Sequence, residues 1–362
     1  MPPKPSQAKS VRELRPLDVT GAKAKRFEPL GSARDTGARI VEDPEWLPHT
    51  FNAEGDQIMF LKTPAERRRS APFLSAEWLS DCSRTALSWE AVDRVSQRMS
   101  VVPIHFIFHT AFCGSTLLVR ALDATRAASG LVEPAILLNL HFRLSRSQDD
   151  AEQARLRTSL RLLARPLRAE AVVAEPSCVA NPIAPLILQN SPGSRAVLLS
   201  SDLRTFLLAV AKRGPQGLAW GRRVFECCRE NLPMEVGYTP EELARLSCLQ
   251  VSALAWIARR AFFEHMLRFG PERILQVSSE QLFDNPVEAA QRAANFFGRE
   301  LDASTLKTLA DSNACAPTAR RVALSISDAR AKEQQMLSSI YGTQVDPVLE
   351  WAEAEISRKA AP

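Results

Sequence analysis

The sequence predicts a three-layer α/β/α fold built on a mainly parallel sheet. Two observations lead to this prediction. Short apolar runs recur at residues 101–108, 130–132, 171–174, 196–199 and 274–277. Helical patterns separate these runs, for example at residues 152–163, 203–212 and 241–269. Strands that alternate with helices imply parallel crossovers and a sheet covered on both faces.

Composition divides the 362 residues into four segments. Residues 1–40 are rich in Pro, Lys, Arg, Ala and Gly, which predicts a disordered basic tail. Residues 41–100 scatter aromatic side chains between prolines and charges, and we expect them to form an N-terminal extension packed on the core. The core is assigned to residues 101–300, and residues 301–362 are expected to form a C-terminal helical segment.

One helix of the core has well-marked ends. Asn285 is suited to cap it, Pro286 fits its first turn, and Glu288 follows three residues after the cap. Gly298 is placed to end it. The pattern therefore predicts a helix between Asn285 and Gly298.

The bulk composition excludes several classes of function. The formal net charge is +5, but the basic residues form no stripe interleaved with aromatics, so no nucleic-acid partner is expected. The 7 cysteines contain no CxxC pair and the 5 histidines have no paired spacing, so no metal site is predicted. Reduced thiols suit a cytoplasmic protein. No apolar run reaches the roughly 18 residues that a membrane span needs. The sequence does not determine the oligomeric state.

Residues 101–123 contain the most informative motif. An apolar run is followed by a short turn around Gly114, and a helical pattern begins at Ser115 and Thr116. This arrangement points the first free N–H groups of a helix at one spot, near the positive end of the helix dipole. The motif therefore predicts a cradle for a phosphate or sulfate.

The loop departs from the ATP-binding pattern G-x-x-x-x-G-K-[ST]. Aligned on Gly114 as the second glycine, the pattern has His109 at the first glycine and Ser115 at the lysine, while Thr116 matches the hydroxyl that ligates magnesium. The missing lysine is the main side-chain partner of a transferring γ-phosphate. ATP-dependent phosphotransfer is therefore disfavoured, and it is kept as an alternative.

Three segments resemble the sulfotransferase family. Residues 112–118, FCGSTLL, are similar to its phosphosulfate loop, which usually reads [KR]-S-G-[ST]-T-[WL]-L. Residues 273–298 resemble its strand, E-x-L, Asp/Asn-Pro and FFG helix. Residues 196–209 stand in the place of the strand and helix that bind the 3′-phosphate. The order and spacing of the three agree over about residues 101–298.

The resemblance implies a P-loop NTPase-like fold and the cofactor 3′-phosphoadenosine-5′-phosphosulfate (PAPS). It also implies sulfuryl transfer to a hydroxyl or amine of a small-molecule acceptor, which the sequence does not identify. The implied cofactor-binding residues are Ala111, Phe112, Cys113, Gly114, Ser115, Thr116, Leu117, Ser201 and Arg204.

The cofactor site departs from the family pattern at its charged positions. Phe112 replaces the Lys or Arg of the loop, and Ser201 and Ala209 replace the arginine and serine of the 3′-phosphate site. A catalytically degenerate binding or regulatory protein is therefore a second alternative. The cations that are candidates to substitute for the missing ones are Arg204, Lys212, Arg213, Arg222 and Arg223.

Glu133 is the leading candidate for the catalytic base. It follows the run 130–132 and would lie at the carboxyl end of a strand, where open α/β sheets place their ligands. Glu175 has a similar Glu-Pro position and is the second candidate. His109, directly before the loop, is considered as a catalytic or a structural residue. Cys113, at a helix N-terminus, is expected to have a lowered thiol pKa.

The arginine pairs Arg222/Arg223 and Arg259/Arg260 are interpreted as marks of solvated helix faces.

Overall fold

The computed structural model describes residues 33–231, 237–311 and 326–360. Most of the predicted basic tail, residues 1–32, lies outside the described residues.

The N-terminal extension is a small antiparallel sheet with three helices. Its strands pair in the order β1-β2-β3. The elements are α1 (Ala33–Glu42), β1 (Trp46–Phe51), β2 (Gln57–Lys62), α2 (Ala65–Ser70), β3 (Arg84–Ser88) and α3 (Trp89–Ser96). The sequence did not predict this sheet, because its strands are only five or six residues long and β1 contains Pro48.

Helix α1 begins inside the segment predicted to be a disordered tail, so that prediction is wrong over residues 33–40. The cause is tertiary contact. Ile40 and Val41 bury their side chains in the apolar cluster shared with the core. From the core, the Arg165 guanidinium donates to the backbone carbonyls of Val41 and Trp46. A short segment of low hydrophobicity is stabilised in this way by its neighbours.

The core is a five-stranded parallel sheet in the order β5-β6-β4-β7-β8. The strands are β4 (Ile104–His109), β5 (Ser129–Val132), β6 (Val172–Glu175), β7 (Ala196–Ser200) and β8 (Ile274–Ser278). The core helices are α4 (Ser115–Ala124), α5 (Ala135–Leu144), α6 (Asp150–Leu163), α7 (Ala184–Gln189), α8 (Leu203–Lys212), α9 (Gly214–Asn231), α10 (Pro240–Arg245), α11 (Cys248–Phe269), α12 (Ser279–Asp284) and α13 (Pro286–Phe296). Two 3-10 helices span Cys178–Ile183 and Pro271–Arg273.

Both faces of this sheet are covered. Along β4, Phe106 and Phe108 join one apolar cluster, together with side chains of α8 and α11. Ile107 points the other way and joins a second cluster with side chains of α4 and α13. This alternation is what a strand buried between two helical layers requires. The predicted three-layer α/β/α class is confirmed.

The structure confirms most of the predicted helices and differs from the prediction at one of them. The Asn285 side chain accepts the Glu288 amide at 3.1 Å, as the capping pattern predicts. The single helix expected over residues 241–269 is two helices, α10 and α11. Ser247 starts the second helix, because its hydroxyl and the Gln250 side chain form reciprocal hydrogen bonds with each other's backbone amides.

The C-terminal segment contains α14 (Ala303–Asp311) and α15 (Ile326–Ala360). Helix α15 lies against α8, α11 and α12. Two ion pairs attach it to α8: Arg204 with Asp346 and Lys212 with Glu333, each at 2.5 Å. Within the described part of the chain, none of the helices combines the length and the apolar character that crossing a bilayer demands.

Candidate functional site

Three polar residues meet at the carboxyl edge of the parallel sheet. His109 ends β4, Glu175 ends β6, and Glu133 directly follows β5. The His109 Nε2 atom is 3.7 Å from Glu175 Oε1 and 4.0 Å from Glu133 Oε1. The three side chains therefore form one cluster, at the edge where open α/β sheets hold ligands.

The loop between β4 and α4 curls around a point beside this cluster. Ala111, Phe112 and Gly114 have left-handed backbones, with φ of 71°, 55° and 87°. This conformation is costly for the two residues that carry a Cβ, and such strain is concentrated at functional sites. Successive backbone turns of this kind aim amide groups into an anion-binding concavity.

Several of the loop amides are free to bind an anion. The amide of Ala111 donates to His109 Nδ1 at 3.2 Å. The amides of Phe112, Cys113, Gly114 and Thr116 donate to no protein group among the described residues. Unpaired amides at the start of a helix attract phosphate or sulfate oxygens. The loop thus has the form of an oxyanion cradle.

Gly114 is closely covered by α12. A Cβ added to Gly114 would lie 2.8 Å from Phe283 Cζ and 3.1 Å from Leu282 Cδ2. The φ of 87° is itself a conformation that favours glycine. Both the backbone and the packing therefore require glycine here, and they fix the loop in shape.

His109 orients the loop. Its Nε2 atom is 3.1 Å from the Pro176 carbonyl oxygen, while Nδ1 accepts the Ala111 amide. These partners assign the neutral tautomer with the proton on Nε2. Burial and the charge of Arg259 lower the His109 pKa to about 3. The geometry gives this side chain a positioning role.

Glu175 is buried at the sheet edge, and Glu133 beside it is partly exposed. Glu175 is 1% exposed, and its Oε1 accepts the Thr116 hydroxyl at 3.2 Å. The Glu133 side chain is 28% exposed and belongs to a residue with φ of 45°. Burial raises the pKa of Glu175 to about 8 and that of Glu133 to about 7. Two acids this close titrate as a pair, and Glu133 is the more accessible of the two.

The expectation for Cys113 is wrong. Burial and the nearby Glu175 raise its thiol pKa to about 12, although it lies at a helix N-terminus. Desolvation of a thiolate therefore outweighs the helix dipole here. The Cys113 thiol lies 3.5 Å from the Leu199 carbonyl oxygen, which it contacts as a small packed group.

The residues assigned to the 3′-phosphate lie at the start of α8. Ser201 is 3% exposed, and its hydroxyl has no hydrogen-bond partner among the described residues. Arg204 is half-exposed and is paired with Asp346 of α15. Leu117 is half-buried in the first turn of α4, with its amide bonded to the Gly114 carbonyl.

Two of the arginines interpreted as solvated, Arg222 and Arg259, differ in their burial. Arg222 is exposed, with Nε 4.0 Å from Glu226 Oε1, as expected. Arg259 is fully buried, so the solvated interpretation is wrong for it, and its Cζ lies 5.1 Å from the centre of the Phe206 ring. The sequence carried a signal: Phe262 and Phe263 follow at three and four residues, which puts Arg259 on an apolar helix face.

Two residues that contribute to the site were not predicted from the sequence. Phe283 covers Gly114 from α12, and Asn181 donates its side-chain amide to the His109 carbonyl at 2.9 Å. Neither lies near the loop in sequence. Asn181 lies six residues after Glu175, which ends β6, and this short separation is the sequence feature that places Asn181 near the same sheet edge.

Comparison with known proteins gives no sequence match. No protein-family model matches the chain, and no curated protein matches it. Among solved structures, it is similar to a sulfotransferase domain from the curacin biosynthetic pathway, with 14% identity and a TM-score of 0.40, over 67% of this chain and 99% of that one.

Two further structures are similar at the same level. The sulfotransferase domain of the Synechococcus PCC 7002 olefin synthase has 12% identity and a TM-score of 0.37, over 66% of this chain and 89% of that one. A sulfotransferase from Mycobacterium avium has 12% identity and a TM-score of 0.41, over 89% and 98%. All three bear the family name that the sequence motifs suggest.

Proposed function

We propose that the protein is a sulfotransferase that moves a sulfuryl group from PAPS to a hydroxyl or amine of a small-molecule acceptor. One observation carries the proposal: a strained loop with unbonded amides is joined to Glu133 through His109, whose Nδ1 accepts the Ala111 amide and whose Nε2 lies 4.0 Å from Glu133 Oε1. A cradle for the donor's oxyanion and a base for the acceptor are the two groups that this reaction needs.

The loop amides of Phe112, Cys113, Gly114 and Thr116 would hold the 5′-phosphosulfate oxygens. They stabilise the charge that grows on the bridging oxygen as the sulfur–oxygen bond breaks. His109 supports them, because it fixes the amide of Ala111 and thereby the turn. In this proposal the backbone amides bind the donor oxygens, so no lysine within the loop is required.

Glu133 would take the proton of the acceptor. Its pKa of about 7 keeps a large fraction ionised at neutral pH and makes it a good proton acceptor. The acceptor oxygen or nitrogen then bonds to sulfur, and the nucleotide leaves as 3′-phosphoadenosine 5′-phosphate. Glu175, with its pKa of about 8, keeps its proton longer and leaves Glu133 as the base.

A cytoplasmic location is part of the proposal. The six cysteines among the described residues are free thiols, which suits a reducing compartment. No nucleic-acid or membrane partner is proposed.

Two measurements test the proposal. Isothermal titration with 3′-phosphoadenosine 5′-phosphate is expected to show saturable binding, and its absence at millimolar nucleotide would refute the proposal. Transfer of labelled sulfate from PAPS to a panel of phenols, alcohols and amines tests the chemistry. Binding without transfer to any acceptor would favour the degenerate binding or regulatory protein.

One contact favours a second candidate, an ATP-dependent phosphotransferase. The Thr116 hydroxyl touches Glu175 at the end of the strand next to β4. A loop hydroxyl and a strand-end carboxylate hold magnesium in P-loop enzymes. Magnesium-dependent turnover of ATP that disappears in Thr116→Ala would support this candidate over sulfuryl transfer.

A further inference from the structure

Arg259 of α11 holds a positive charge inside the core. The residue is fully buried, and its Nε donates to the Ala255 carbonyl one turn earlier at 3.0 Å. The Nη1 and Nη2 atoms are also buried, and they donate to no described residue. A guanidinium keeps its charge in proteins, and these two atoms carry most of its N–H donors. A buried cation without a hydrogen-bonded anion is costly, so an anionic ligand would complete this site.

Three titratable side chains that sense the Arg259 charge are themselves uncharged at neutral pH. Burial raises the pKa of the Cys178 thiol to about 12 and that of the Cys228 thiol to about 11, so both keep their protons. Burial and the Arg259 charge lower the pKa of His109 to about 3, so its ring stays neutral. None of these three side chains therefore offsets the guanidinium.

Two aromatic rings connect Arg259 to the oxyanion loop. The guanidinium carbon lies 5.1 Å from the centre of the Phe206 ring and 5.9 Å from that of the Trp220 ring. The same two rings contact Phe112 of the loop, with centroid distances of 5.8 Å and 4.8 Å. Aromatic faces attract a cation but do not neutralise its charge. The guanidinium is therefore one aromatic layer away from the loop, and its charge is still unpaired.

We propose that Arg259 binds a carboxylate of the acceptor, so that the acceptor is a hydroxy or amino acid with an apolar body. The Nη1–Nη2 edge of a guanidinium matches the two oxygens of a carboxylate. The rings of Phe206 and Trp220 suit the apolar body, and a movement of the half-buried Trp220 ring would admit it. This inference rests on the proposed sulfuryl transfer, because it names the class of acceptor for that reaction.

The test compares hydroxy acids with their neutral amides. The full-length protein is titrated with para-hydroxybenzoate, para-hydroxycinnamate and hydroxyhexanoate, and with the three amides, by calorimetry and tryptophan fluorescence. The wild type is expected to bind the best carboxylate at least about 10-fold more tightly than its amide, because the amide cannot form the charge-assisted pair. Arg259→Met should bind both alike. Arg268→Met makes the same change at an exposed position of α11 and should keep the preference.

Urea denaturation of the same variants separates a binding role from a structural one. Replacing an unpaired buried charge by an apolar chain is expected to leave the urea midpoint unchanged or to raise it. A marked fall of the midpoint would assign Arg259 to the fold and count against the proposal. Arg259→Lys keeps the charge without the planar fork and should retain only part of the preference.

Two binding results would overturn the proposal: no preference for any carboxylate in the wild type, or a full preference that survives in Arg259→Met. Titration of 3′-phosphoadenosine 5′-phosphate is run separately. Nucleotide binding without a carboxylate preference would overturn the acceptor class and leave the sulfotransferase proposal standing. A carboxylate preference without nucleotide binding would support the anion site at Arg259 and refute sulfuryl transfer, so the two failures give different results.

Discussion

Arg213 lies over the ring of Phe112, with its guanidinium carbon 4.1 Å from the ring centre. Phe112 occupies the position where sulfotransferase loops carry a lysine or arginine. A positive charge from the end of α8 therefore lies at the loop, held by the aromatic face. The side chain is also bonded to the Ala209 carbonyl at 2.8 Å, which limits its movement.

Replacing Arg213 should therefore weaken nucleotide binding. We expect Arg213→Gln to lower the affinity for 3′-phosphoadenosine 5′-phosphate by about 10-fold or more, because a charge-assisted contact contributes roughly 1.5–3 kcal/mol. Isothermal titration measures this. Arg98→Gln, at an exposed arginine of the N-terminal extension, serves as the control and should leave affinity unchanged. Equal losses in both variants would show that net charge alone matters.

Glu133→Gln should separate catalysis from binding. The amide keeps the size of the side chain and removes its ability to accept the acceptor's proton. We expect kcat for sulfuryl transfer to fall by about 10²–10⁴-fold, the usual contribution of a general base. Affinity for the product nucleotide should change little. Glu170→Gln, at an exposed glutamate, is the control. Full activity in Glu133→Gln would remove Glu133 from the mechanism.

The wild-type rate should also depend on pH. Because Glu133 must be ionised to act, kcat/KM is expected to rise with pH through an apparent pKa of about 7 and then level off. A pH–rate profile measured with a saturating donor and a dilute acceptor tests this. A flat profile between about pH 6 and pH 8 would contradict a base with a raised pKa.

Gly114→Ala should be strongly destabilising. A left-handed backbone costs an alanine about 1–2 kcal/mol, and overlap with Phe283 adds about 1–3 kcal/mol. Urea denaturation is expected to give a total loss of about 2–5 kcal/mol. Gly193→Ala is the control, because its added Cβ meets nothing within 4 Å. A similar stability for the two variants would mean that the loop relaxes freely.

The acid pair should make the protein less stable as pH rises. The pKa of Glu175 is about 8 in the folded chain and 4.5 without burial. The folded state therefore binds the proton more tightly, and stability falls between about pH 4.5 and pH 8 by up to about 1.4 kcal/mol per pH unit. Glu175→Gln removes this contribution and should flatten the fall.

Urea denaturation at several pH values checks this prediction. Glu133 contributes in the same direction through its own raised pKa, so the Glu175→Gln curve should keep part of the slope. Glu90→Gln should follow the wild type. A Glu175→Gln protein that loses stability with pH as steeply as the wild type would show that Glu175 ionises freely in the folded chain.

The sequence by itself determined the alternation of strands and helices, the capped helix after Asn285 and the loop around Gly114. These features are local, since they rest on apolar periodicity, caps and turn residues within a few positions. The sequence partly predicted that Glu133, Glu175 and the loop lie close together, because parallel strands end at one edge of a sheet.

Tertiary structure alone decided the charges and partners of these residues. The local sequence does not indicate that Glu175 is desolvated or that Cys113 keeps its thiol proton, because burial depends on which helices cover each site. The stacking of Arg213 on Phe112 joins positions about a hundred residues apart. The pKa values at this sheet edge depend on desolvation and on contacts between residues distant in sequence, and the local sequence predicts neither.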